Sequence, residues 1–135
     1  MSHLQYFSYK GFGEHVRDAL SYSQAVRIDD RIEVAGQGGW DPETHQVHAD
    51  LAEEINQTFA NVELALKDAG GKGWSQVYRV RIFVLDTHDE TIGLLVDNLR
   101  KWMPGHKPVL TCVAVKGLAL EGMRIEMEAV AHDAK

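Results

Sequence analysis

The hydrophobic period of the chain changes several times, and each change marks an element. Residues 23–28 and 31–36 alternate apolar and polar side chains on either side of Asp29-Asp30, which predicts two strands joined by a tight turn. From Asp50 the period lengthens: Leu51, Ile55, Phe59, Val62 and Leu66 recur at three and four residues and form one stripe of a helix. Asp50 with Glu53 opens that helix in the manner of a capping box, and Gly70-Gly71 stops it. Residues 77–85 form a long β-branched and aromatic strand. Thr87 with Glu90 opens a second helix whose stripe is Ile92, Leu95, Leu99 and Trp102, and Pro104-Gly105 closes it. Residues 108–115 and 123–130 are the last two strands, and residues 5–9 a further short one.

Two helices cannot cover both faces of a sheet of five or six strands. The economical arrangement is an α+β fold with both helices on one face. Alternation then assigns the side chains. Val80, Ile82 and Val84 face the helices, as do Ile125, Met127 and Ala129, and Ile32 and Val34. Arg79, Arg81 and Phe83 point outward, with Arg124, Glu126 and Glu128 and with Arg31, Glu33 and Ala35. In residues 108–115, Thr111, Val113 and Val115 are assigned inward and Leu110, Cys112 and Ala114 outward. That outer face is either a solvated surface with cross-strand ion pairs or a subunit interface. Leu110, Cys112 and Phe83 suit open water poorly, so the interface is favoured.

Composition narrows the class. At 135 residues with 44% hydrophobic and 25% charged residues, the chain has the size and make-up of one soluble domain spanning residues 1–135. No segment approaches the run of about eighteen apolar residues that a membrane span requires, and the N-terminus has no signal-peptide pattern, so a cytoplasmic protein is expected. The net charge of −6 supplies no field that would gather nucleic acid. The one cysteine excludes an intrachain disulfide.

Few residues suggest chemistry. Gly36-Gln37-Gly38-Gly39-Trp40 follows a strand, where glycine lets a ligand approach backbone amides, although such runs are often turns and nothing more. It fits neither a dinucleotide fingerprint nor a phosphate loop. His45 and His48 have no cysteine or acidic cluster to complete a metal set, so no metal is expected. Cys112 lacks a neighbouring base and reads as a small buried hydrophobe rather than a nucleophile. Glu126 and Glu128 are better candidates. A glutamate desolvated by assembly has its pKa raised toward the range where it exchanges protons with water or a substrate nitrogen.

The order of short motifs resembles the YjgF/RidA family, also called the Rid superfamily, from about Ser21 to Ala131. The resemblance rests on Tyr22-Ser23-Gln24-Ala25, on Ala35-Gly36-Gln37 where the family usually has Ser-Gly-Gln, and on Gln57-Thr58 with Asn61. It closes with Cys112-Val113-Ala114-Val115 and Ile125-Glu126-Met127-Glu128-Ala129-Val130-Ala131. It implies a chorismate-mutase-like α+β fold, a homotrimer and small-molecule sites in the clefts between subunits. It also implies cofactor-free hydrolysis of reactive enamines and imines to carbonyl compounds and ammonia. In the family's deaminases an arginine in Arg-Ser-Cys-Val clamps the substrate carboxylate; here the matching residues are Leu110-Thr111-Cys112-Val113. An asparagine the family often uses in the second helix is also missing, since Leu94 or Leu95 falls near its place. Tyr22, Gly36, Cys112 and Glu126 match the other site positions, with Gln37 beside them.

The implied roles are Glu126 as the catalytic carboxylate, Tyr22 as the closing side chain, backbone donors around Gly36, and Leu110 as an apolar wall. Arg79 and Arg81 are candidate replacements for the clamp, with Lys116 near the edge. Three functions compete: a 2-iminobutanoate/2-iminopropanoate deaminase-like hydrolase of altered specificity, a non-catalytic small-molecule binder or regulator, and an endoribonuclease. The acidic charge and the lack of an aromatic-basic stripe weigh against the last.

Overall fold

The structure, a computed structural model, describes residues 1–134. In chain order it contains β1 (Gln5–Phe7), α1 (Phe12–Leu20), β2 (Ala25–Ile28), β3 (Arg31–Gln37), α2 (Leu51–Asp68), a short 3-10 turn (Trp74–Gln76), β4 (Val77–Val84), α3 (Asp89–Trp102), β5 (Val109–Ala114) and β6 (Ile125–His132). The strands make one six-stranded sheet in the order β1-β2-β3-β6-β4-β5. All neighbours are antiparallel except β4 and β5, which are parallel and joined across α3. No helix among the described residues is long and apolar enough to cross a membrane.

The β2–β3 hairpin forms as its pattern predicts. Ile28 pairs with Arg31 across Asp29-Asp30, and Asp29 takes the positive φ, 53°, that such a turn requires. The Asp50 carboxylate accepts the Glu53 N–H at 3.0 Å and caps α2, whose Ile55, Phe59, Val62 and Leu66 are fully buried against the sheet. Ile32, Val34, Val80, Ile82, Val84, Ile125, Met127 and Ala129 meet them from the sheet, as assigned.

Five assignments change. A third helix, α1, joins the two predicted. Its buried stripe is only Phe12 and Val16, and no serine, threonine or aspartate caps it, so its period was too short to recognise. Tertiary contact starts it instead: the Phe12 N–H donates to the Pro42 carbonyl at 2.8 Å, and Phe12 stacks on Trp40.

Second, α3 begins at Asp89, and the residue that organises its start is Asp86, which accepts the His88 N–H and the Thr91 hydroxyl; Thr87 is no cap. The buried face of α3 is Thr91, Leu95 and Asn98, and Ile92 is exposed.

Third, β5 has the opposite phase. Its register pairs Val80 with Leu110 and Ile82 with Cys112, so Leu110 and Cys112 point to the helix side while Thr111 and Val113 face outward beside Arg81 and Phe83. Apart from Thr111, Val109–Ala114 is apolar in both phases, so alternation is a weak guide and the pairing with β4 decides.

Fourth, a bulge in β3 sets Val34 opposite Ala129 but Gln37 opposite Met127, one residue more than regular pairing uses. The bulge turns Gln37 inward, away from the outer face. Fifth, Arg124 lies before β6 and folds to the helix side, where its Nε–H and backbone N–H donate to the two oxygens of the buried Glu54, both at 2.7 Å.

Candidate functional site

The outer face carries two charges of each sign across its middle strands. Arg79 and Arg81 stand on β4 opposite Val130 and Glu128 of β6, and Arg81 approaches Glu128 at 3.8 Å. Beside them the apolar side chains Val109 and Val113 remain open, 56% and 43% exposed. A face of this kind is poorly suited to water.

Glu126 lies on this face beside β3, and its side chain packs over Gly36. A Cβ at position 36 would sit 2.1 Å from Glu126 Oε1 and under 3 Å from its Cδ and Cγ. A side chain at position 36 would therefore push the carboxylate aside. Glu126 forms no ion pair or hydrogen bond among the described residues. Its burial, and then the neighbouring Glu128 charge, push its pKa above the usual carboxylate value. Tyr22 lies close by. Burial raises its pKa, the Gln24 amide offsets part of that, and the Glu126 charge adds to it, so the phenol keeps its proton. A cleft of about 560 Å³ opens beside Tyr22, bordered by Tyr6, Ser23, Glu33 and Ala35.

The bulge places a buried polar cluster directly behind this site. The Gln37 side chain accepts the Tyr9 hydroxyl at 2.8 Å and donates to Gln24 Oε1 and to the Ala35 carbonyl, and the Trp40 indole N–H donates to Tyr9. Gln37 is fully buried with its amide committed, so it holds the Ala35–Gly36 backbone rather than a ligand. Asn61 does the same from α2, donating to the Gly38 and Trp40 carbonyls at 2.8 Å each.

Cys112 and Leu110 sit elsewhere. Both are on the helix side of edge strand β5; Cys112 packs against the core and burial raises its thiol pKa, while Leu110 is 40% exposed. In one chain the sheet separates them from Glu126, so Tyr22, Gly36 and Glu126 come together and Leu110, Cys112 and Gln37 do not join them. Arg79 and Arg81, on the outer face, are not beside Leu110 either. His45 lies edge-on to Phe12 and 4.9 Å from the His15 ring, whereas the His48 ring meets Gln57 at 3.2 Å. Among the described residues no group of three or more His, Cys, Asp or Glu side chains could hold a metal ion.

The sequence reading missed Glu54 as the partner of Arg124. A glutamate one helical turn past Leu51, on the flank of a buried stripe, was the available signal, because an acidic residue there demands a cation.

Comparison with known proteins accords with this geometry. The family described as Endoribonuclease L-PSP matches residues 14–133. The rat protein named 2-iminobutanoate/2-iminopropanoate deaminase is 35% identical over 112 residues, covering 82% of this chain and 79% of the rat protein. Protein HMF1 of Saccharomyces cerevisiae is 32% identical over 115 residues, 85% of this chain and 86% of its own. Among solved structures, a Mycobacterium tuberculosis protein described as a member of the YjgF/YER057c/UK114 family superposes with a TM-score of 0.76 at 28% identity, covering 93% of this chain and 98% of that one. The yeast YEO7 protein gives 0.81 at 27% identity, covering 96% and 98%. With a match over nearly its whole length and relatives above 30% identity, this chain belongs to the Endoribonuclease L-PSP family, the YjgF/RidA family.

Proposed function

We propose that this protein hydrolyses reactive enamines or imines to a carbonyl compound and ammonia, with Glu126 as the proton-exchanging carboxylate. The observation that carries this reading is the Glu126 side chain held over Gly36, half-buried, without a cationic partner among the described residues and with its pKa raised. Such a carboxyl can take a proton from the water that adds to the imine carbon and return it to the nitrogen as ammonia leaves. Tyr22, kept protonated, donates a hydrogen bond to the reacting group, and the backbone at Gly36 borders it.

Leu110 and Cys112 reach that site only from another copy, because the sheet lies between them and Glu126 within one chain. Support for a homotrimer comes from this separation and from the apolar side chains left open on the outer face. With leucine where the deaminases carry their clamp, the preferred substrate is one that presents an uncharged or apolar group to position 110. An unpaired buried carboxylate would cost about 3–5 kcal/mol.

The test follows ammonia release from freshly generated 2-aminoacrylate and from an uncharged enamine. The protein is expected to accelerate the uncharged enamine more, and Glu126→Gln to lower that rate by about 10²–10⁴-fold. Acceleration of neither substrate would sink the reading. Leu110 favours a second one, a binder without turnover, for which a ligand would bind equally well to Glu126→Gln. Ribonuclease action is disfavoured by the net charge of −6 and by Glu33, Glu126 and Glu128 on the candidate face.

A further inference from the structure

The buried polar cluster behind Tyr22 has a direction. The Trp40 indole N–H can only donate, and it donates to the Tyr9 oxygen at 3.0 Å, so the Tyr9 hydroxyl in turn donates to Gln37 Oε1 at 2.8 Å. The Ala35 backbone carbonyl can only accept, and the Gln37 atom that meets it at 3.1 Å is therefore Nε2. The second N–H of that Nε2 donates to Gln24 Oε1 at 2.7 Å. Two groups with no choice of role thus orient both amides, and Gln24 is left with its Nε2 on the far side.

Gln24 has no freedom to turn. Its backbone N–H donates to the Phe7 carbonyl at 2.9 Å and its carbonyl accepts the Ala35 N–H at 2.8 Å, which clamps it between β1 and β3. The residue is 1% exposed, and Nε2 has no hydrogen-bond partner among the described residues. Buried amide donors are rarely left unpaired. The Tyr22 phenol, two residues away at the border of the cleft, is the group on which the Gln24 amide acts, lowering its pKa against the rise that burial causes.

We propose that Gln24 is the positioning residue for Tyr22: its Nε2–H donates to the phenol oxygen, and the phenol O–H, which an amide nitrogen cannot accept, turns into the cleft as a donor. The inference rests on the reading of Tyr22 as the group that donates to the reacting species. It adds a requirement on the ligand, which brings an acceptor to that point: the imine nitrogen, or the oxygen of its water adduct.

NMR of the full-length protein, with carbon-13 at tyrosine Cζ and nitrogen-15 in the glutamine amides, tests this. Tyr22→Phe keeps the ring and removes only the oxygen, so the Gln24 side-chain amide signals are expected to shift. Gln24→Met removes the donor; the Tyr22 Cζ signal should then titrate at higher pH, and turnover of the uncharged enamine should fall about tenfold with KM changed by less than about twofold. Because Gln24→Met also strands a Gln37 N–H, Gln24→Glu is its companion. Glutamate keeps an oxygen for Gln37 and offers Tyr22 an acceptor in place of a donor, so the Tyr22 titration should move up again. Tyr9→Phe is the structural control: it breaks the same cluster but leaves the Ala35 carbonyl to orient both amides, so it should lower the thermal transition without moving the Tyr22 titration. Gln24 amide signals indifferent to Tyr22→Phe, a Tyr22 titration unchanged in a folded Gln24 variant, or an equal shift in Tyr9→Phe would each overturn the proposal. The spectra need no substrate, so absent turnover would sink the hydrolytic reading while the amide and phenol signals still decide this one.

Discussion

Two glutamates on opposite faces of the sheet, Glu54 and Glu126, show how environment divides structural from chemical roles. Glu54 is completely buried, yet each of its oxygens receives a 2.7 Å hydrogen bond from Arg124. The arginine also donates to the Ala49 carbonyl at 2.8 Å, so one guanidinium ties the loop before α2, the first turn of α2 and the entry to β6 together. Glu126 is only half-buried and has no ion-pair partner among the described residues; the charge that acts on it is that of another glutamate, Glu128. A satisfied buried charge holds structure, because nothing is left over to exchange. An unsatisfied one near a cleft is available to a substrate.

Breaking the satisfied pair should have the largest effect. Arg124→Ala removes the guanidinium and leaves the buried Glu54 with only the residue-124 backbone N–H as a partner, and chemical denaturation should show a loss of about 3–5 kcal/mol. Part of it should return in Arg124→Ala with Glu54→Gln, where no charge remains to strand. A loss under about 1 kcal/mol for the single change would erase the distinction between the two carboxylates.

Gly36→Ala attacks the other side of the comparison. The new Cβ displaces the far end of a flexible side chain rather than backbone, so stability should fall by only about 1 kcal/mol. Hydrolysis should fall by about a hundredfold as the Glu126 carboxylate swings out of place. Equal damage to folding and turnover would make Gly36 a fold residue and nothing more.

The smallest effect is the pH dependence of Glu126 itself. Its folded pKa is raised, so the native state binds its proton more tightly than the unfolded chain does. The associated stability is present below the unfolded pKa, near 4.5, and is lost as pH rises through the folded value. Glu126→Gln cannot lose a proton and should therefore be more stable than the parent at pH 8 and closer to it at pH 4. The gain should stay below about 1 kcal/mol, because water still screens the group. Thermal melts at the two pH values measure it, and an opposite sign would place a hidden cation beside the carboxylate.

The elements whose period was long were legible. Ile55, Phe59, Val62 and Leu66 predicted the buried face of α2, and the inward sets of β3, β4 and β6 followed from strict alternation. Motif order identified the family, and Tyr22, Gly36 and Glu126 do gather at one place on the outer face. What stayed hidden depended on partners distant in sequence. α1 needed the Pro42 carbonyl and the Trp40 ring, 30 and 28 residues beyond Phe12. Gln37 turned inward because a bulge added one residue to β3, a shift that no alternation within the strand reveals.

The sequence by itself determined the class of fold, the family, and which residues carry charge or proton-exchanging groups, because periodicity and motif order are local properties of the chain. The tertiary structure decided which of those residues meet. Strand pairing with β4 turned Leu110 and Cys112 away from Glu126 and to the helix side, and it could do so because a strand largely apolar in both phases takes its register from its neighbour.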